Sequence, residues 1–162
     1  MVTFKWIKGE VPKNLLIKQV YGIVFDDYGR VLLRIEDNKY LLTGGTPEDY
    51  DKTIEDTLKR EFIEEVNIKL KDIKMLGYQL VDEHNGTEPF AQIRMIAKID
   101  EVGELRPDPD NGKTYERFLT TPDKAINYLN WGKVGEEQIK DAVKLFEENY
   151  TLKTKKETEE YI

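Results

Sequence analysis

The spacing of apolar and polar positions separates strands from helices along this chain. Residues 18–25, K-Q-V-Y-G-I-V-F, are rich in β-branched and aromatic side chains and run into the turn signal Asp26-Asp27-Tyr28-Gly29. Residues 30–35, R-V-L-L-R-I, form a second strand, so the two read as a hairpin. Residues 39–42 suit a short strand that Gly44-Gly45 breaks. From 53 to 66 the period changes: Ile54, Leu58, Phe62 and Val66 recur every fourth residue and form one apolar stripe on a helix. Asp51 or Thr53 suits its N-cap, and Asn67, which tolerates the left-handed conformation, suits its end.

The strand pattern returns at 73–81 and 90–99, with Asn85-Gly86 as the hairpin or loop between them. Residues 106–113, R-P-D-P-D-N-G-K, read as a loop and 115–119 as a short strand. Thr121 followed by Pro122 marks a helix start. Residues 136–150 form an amphipathic helix with Ile139, Val143 and Phe146 inward. Residues 153–162, mostly Lys, Glu and Thr, read as a frayed helix end or a flexible charged tail. Strands, helix, strands and helix in that order imply an α/β class, with a mixed sheet covered by helices on both faces. The 162 residues suit one domain, 1–162, without repeat or linker.

Composition narrows the chemistry. The net charge is -7, which argues against bulk nucleic acid but not against a small phosphorylated ligand held through a cation. There is no cysteine and one histidine, His84, so thiolate chemistry and His-rich zinc sites are excluded. Lys5 and Lys8 interrupt Phe4, Trp6 and Ile7, so no signal peptide is expected. No apolar run approaches membrane-spanning length, and the expected location is cytoplasmic.

The chemically informative segment is Arg60-Glu61-Phe62-Ile63-Glu64-Glu65. On a helix, with Glu61 as origin, Glu65 falls at about 40° and Glu64 at about -60°, while Ile54, Leu58 and Phe62 fall at about 20°, 60° and 100°. Glu61 and Glu65 therefore border or enter the apolar stripe. Carboxylates placed there are costly unless paired or bound to metal, and three so close repel one another. A hard divalent cation, Mg²⁺ or in its place Mn²⁺, removes both costs. The plainer alternative is a solvated glutamate face with Lys59 and Arg60 as salt-bridge partners.

The segment resembles the signature of the Nudix hydrolase family: a glycine, five variable residues, a glutamate, seven variable residues, then Arg-Glu-apolar-x-Glu-Glu-x-Gly-apolar. Arg60, Glu61, Glu64, Glu65 and Ile68 match the distal half, and Gly45, preceded by Gly44, matches the opening glycine. The interval from Gly45 to Glu61 is one residue longer than the pattern, so Asp51 or Lys52 stands for the mid-motif glutamate. Asn67 replaces the glycine, and Thr43 stands where proline is frequent. Leu32-Leu33-Arg34, and Tyr115 to Leu119 followed by Thr121-Pro122, extend the similarity to roughly residues 18–149.

The resemblance implies an α/β/α sandwich with a curved mixed β-sheet. It implies a metal-dependent pyrophosphohydrolase cleaving a phosphoanhydride bond in a nucleoside diphosphate-linked or related metabolite, or else a non-catalytic domain that binds such a ligand. Implied metal ligands are Glu61, Glu64, Glu65 and the Gly45 carbonyl, with Glu64 as ligand or base. Glu116 is a further ligand or base, and Arg60 is a brace within the catalytic group. Gly44, Gly45 and Arg34 are expected near the phosphates. Tyr21 and Phe90 suit either a base pocket or the core. Residues 83–89 and 106–113 are the expected specificity loops. The sequence leaves the substrate and a homodimer open.

Overall fold

The computed structural model describes all of residues 1–162. Strands β1 (Thr3–Lys8), β6 (Ile68–Asp82), β7 (Phe90–Val102) and β2 (Leu16–Phe25) lie side by side in that order. The β1–β6 and β6–β7 pairings are antiparallel and β7–β2 is parallel, so the sheet is mixed. β5 (Thr43–Gly45) pairs with β2 at Val20, Tyr21 and Gly22. β3 (Val31–Glu36) pairs with β4 (Lys39–Leu41) and with β8 (Glu116–Thr120), which in turn meets β9 (Glu160–Tyr161).

Helix α1 (Ile54–Val66) covers one face, while α2 (Pro122–Leu129) and α3 (Gly132–Asn149) cover the other. This is the expected α/β architecture with a mixed sheet. The two-residue period of β2 explains how both faces are filled. Val20 and Val24 pack with Leu58, Phe62 and Val66 of α1, whereas Ile23 and Phe25 pack with Ile139, Ala142 and Phe146 of α3. Phe25 and Phe146 stack at 4.3 Å, and each such buried ring contributes roughly 1.5–3 kcal/mol.

Several elements depart from the sequence reading. The expected 18–25/30–35 hairpin pairs only at Phe25–Val31. Beyond that point the strands separate, because β5 takes the edge of β2 and β8 takes β3. Gly44-Gly45 thus belongs to a strand and does not break one. β1 is not evident from the sequence, where Phe4, Trp6 and Ile7 form only an interrupted apolar run. α3 begins at Gly132, not at 136. Gly132 and Gly135 depress helix propensity there, but bare Gly135 lets the Trp131 side chain lie against the first turn.

The expected loose tail is instead docked. Ile162 N–H donates to the Arg117 carbonyl at 3.1 Å, and Arg30 reaches the Thr158 carbonyl at 3.1 Å and Glu160 at 3.1 Å. Glu159 accepts from Thr120 at 2.8 Å and from Tyr128 at 2.6 Å. The tail's composition is polar, but its partners include the buried Arg30, whose burial makes those contacts valuable. No helix is long and apolar enough to cross a membrane.

Candidate active site

Two bare glycines let α1 sit closely on the sheet. A Cβ on Gly22 would press on Phe62 at 3.0 Å, and one on Gly45 would collide with the Glu61 carboxylate. Thr53 is the N-cap of α1, accepting from Asp56 N–H at 3.1 Å. Asn67 ends the helix at φ 50°, ψ 49°, and its side-chain amide also donates to the Glu104 carbonyl at 2.9 Å. These ends fix the rotation of α1 and turn Glu61 toward β5.

Arg60 organises the turn before the helix. Its Nε and Nη2 donate to the two oxygens of Asp51 at 3.0 and 2.8 Å, a bidentate pair. Nη2 also donates to the Thr46 carbonyl at 3.1 Å, and Nη1 reaches Glu61 at 3.0 Å and Glu64 at 3.2 Å. Asp51 accepts from Thr57 and from Glu48 N–H, each at 2.9 Å. The Arg60 guanidinium, opposed by partial burial, holds the Asp51 carboxyl well below its ordinary range. Asp51, rather than Lys52, is therefore the partner of Arg60.

Glu65 lies deeper. Its Oε2 is 3.0 Å from Arg34 Nε, but the alignment makes no hydrogen bond and leaves both atoms buried and unsatisfied. Arg34 also meets Glu36 at 2.9 Å and stacks over Tyr115 at 4.3 Å. Burial pushes the Glu65 carboxyl up to about 8; Arg34 opposes this, and the like charge of Glu61 adds to it. Burial also raises Glu61, and Glu65 and Arg60 oppose that rise. Glu64 is raised by burial against Arg60, with Asp110 and Asp108 of the 106–113 loop adding like charge.

The donor set suits a hard divalent cation. Glu65 Oε2 is a buried oxygen without a hydrogen bond, the like charge of Glu61 raises its proton affinity, and the Glu61 carboxylate itself packs against bare Gly45. No group of three or more acidic, His or Cys side chains already converges on one point. Glu61 and Glu64 are turned to Arg60, and Glu65 to Arg34. Gly44 pairs with Tyr21, and a Cβ on it would collide with the β2 backbone.

Glu116 is not brought into this cluster. It is exposed at the start of β8, opposite Ile35, in a shallow cleft with Glu36, Asp37 and Asn38. His84 lies on the exposed 83–89 loop and hydrogen-bonds Thr3 at 2.9 Å. Phe90 is buried, with Lys18 over its ring at 4.2 Å.

A cavity of about 470 Å³ opens beside the cluster, and Arg34 belongs to both. Tyr21, Gln79, Gln92, Arg94, Trp131 and Phe4 help line it; neither expected specificity loop does. The sequence reading gave Arg94 and the glutamines no role. Their alternation along β6 and β7 is visible in sequence, but the register that aligns them is not.

The family model described as NUDIX domain matches residues 16–141. No curated protein sequence matches the chain. Among solved structures, a point variant of the Bacillus subtilis pyrophosphohydrolase BsRppH superposes with TM-score 0.70 at 21% identity, covering 92% of this chain and 93% of its own. The mutator MutT protein of Bacillus halodurans gives TM-score 0.58 at 20% identity, covering 79% and 82%. A structure from a study of Aliivibrio salmonicida and Vibrio cholerae MutT gives 0.56 at 15% identity, covering 79% and 96%.

Proposed function

The chain belongs to the Nudix family, and from that premise we propose that it is a metal-dependent pyrophosphohydrolase that cleaves a phosphoanhydride bond in a small, nucleotide-containing metabolite. The observation that carries this reading is the pairing of two carboxylates of raised proton affinity: Glu61, packed against the bare backbone of Gly45, and Glu65, whose Oε2 is buried without a hydrogen bond. Glu61, Glu64, Glu65 and the Gly45 carbonyl are the groups that would hold Mg²⁺ or Mn²⁺. When bound, the cation supplies charge neutralisation at the phosphates and lowers the pKa of a water.

The chain's own residues supply the rest. Arg60 pins the 46–51 turn to the helix and so fixes where Gly45 stands relative to Glu61. Glu64 is the least buried of the three glutamates in its side chain and suits proton transfer from the attacking water, or a ligand role. Arg34, between Glu65 and the cavity, is placed to hold a phosphate oxygen once Glu65 turns to a cation. The exposed position of Glu116 gives no support to its role as ligand or base.

The second reading, a domain that binds such a ligand without cutting it, draws on the same ion pairs, since the arginines already neutralise the glutamates. A turnover screen across nucleoside triphosphates, dinucleoside polyphosphates, sugar nucleotides and coenzymes, with and without Mg²⁺, separates the two. Metal-dependent product release supports hydrolysis; ligand-induced thermal stabilisation without release supports binding alone.

A further inference from the structure

The cavity beside the glutamates contains a charge without a counter-charge. Arg94 is 3% exposed, and no carboxylate lies within ion-pair distance of it. Its guanidinium sits over the rings of Tyr21 at 5.0 Å and Trp131 at 5.4 Å. Nε donates to Gln138 Oε1 at 2.9 Å, and Nη1 makes long contacts of 3.5 and 3.4 Å to the Gln92 and Ile93 carbonyls. Nη2 has no protein acceptor and is not sealed from the cavity. A buried cation with a vacant donor is costly unless something else accepts from it.

Arg94 also fixes its surroundings. A guanidinium only donates, so the Gln138 atom facing it is the oxygen. Gln138 Nε2 then donates to Gln79 Oε1 at 2.9 Å, Gln79 Nε2 to Gln92 Oε1 at 2.9 Å, and Gln92 Nε2 to Gln19 Oε1 at 3.0 Å. Gln19, Gln92 and Gln79 occupy one cross-strand row of β2, β7 and β6. A free amide can turn to serve either a donor or an acceptor on a ligand. These amides are locked in one direction by a donor-only residue and cannot adapt.

β5 and β7 flank a single strand: Tyr21 of β2 pairs with Gly44 on one side and Arg94 on the other. Two strand spacings, about 10 Å, separate Gly44 from Arg94. One small phosphorylated ligand spans that distance.

We propose that this cavity is where the chain distinguishes substrates. It selects a planar ring bearing a carbonyl over the same ring bearing an amino group, with Arg94 Nη2 donating to the ring oxygen. The proposal rests on the hydrolase reading for the ligand's phosphates, but it is testable apart from it. An amino group would present a donor to a donor; a carbonyl satisfies the vacant position.

The test is calorimetric titration of the full chain in EDTA with nucleosides, which carry no phosphate: uridine against cytidine, and inosine against adenosine. The carbonyl member of each pair should bind at least roughly tenfold more tightly. In Arg94→Gln, whose amide can turn either way, the ratio should fall to near one. Equal or inverted ratios in the wild type, no binding of any of the four at millimolar concentration, or an unchanged ratio in folded Arg94→Gln would overturn the proposal. Should the variant not fold, the wild-type ratios decide. Carbonyl preference without turnover of any phosphorylated substrate would remove the hydrolase reading and leave the pocket. Turnover without base preference in the titration would do the reverse.

Discussion

Asp51 and Arg60, nine positions apart, meet through two parallel hydrogen bonds of 3.0 and 2.8 Å. The pair closes the segment between the Gly44-Gly45 strand and α1.

Asp51→Asn should destabilise the fold by about 1–3 kcal/mol at pH 7, since Arg60 loses its charged partner. The pair depresses the Asp51 carboxyl below its ordinary 3.8. Its stabilisation is therefore complete above that value and is lost as pH falls through the depressed one. Denaturant melts of both proteins should show a gap at pH 7 that narrows steadily below about pH 4. A gap of the same size at pH 3 would contradict this account of the pair.

Gly45→Ala should remove function while leaving a folded protein. The added methyl meets the Glu61 carboxylate, which must swing out of place. Mg²⁺ affinity and turnover should both fall by roughly tenfold or more, with a stability loss of about 1–2 kcal/mol. Unchanged metal affinity by calorimetry would show that Glu61 is not held against Gly45.

Removing residues 157–162 should lower the melting temperature by several degrees, corresponding to about 1–3 kcal/mol. Arg30 would keep Asp26 at 2.7 Å but lose Thr158 and Glu160. A thermal melt by circular dichroism checks this; an unchanged melting temperature would mean that β9 and its contacts contribute nothing.

What the sequence made legible was local. The four-residue period gave α1, Asp51 or Thr53 and Asn67 marked its ends, with Thr53 proving to be the cap, and the helical angles put Glu61 and Glu65 beside the apolar stripe. What it hid was non-local. The splitting of β2 from β3 depends on β5 and β8 competing for their edges, and the order of the tail depends on Arg30, more than a hundred residues away. In sequence Arg94 is an ordinary strand residue, because its partner Gln138, and Gln79 to which Gln138 donates, come from distant elements. Glu116 shows the converse: a residue chosen by resemblance at a strand start stands exposed and apart from the cluster.

The most direct test of the central claim, that Glu61 and Glu65 hold the cation on which hydrolysis depends, is turnover of a phosphoanhydride substrate panel after EDTA dialysis and stepwise Mg²⁺ addition. Wild type and the Glu61→Gln/Glu65→Gln double variant are compared, with folding of each checked by thermal melt. The account predicts no turnover after dialysis, recovery with Mg²⁺ in the wild type, and at least a roughly hundredfold loss in the double variant. Full activity after EDTA dialysis, or wild-type turnover in the double variant, would contradict it.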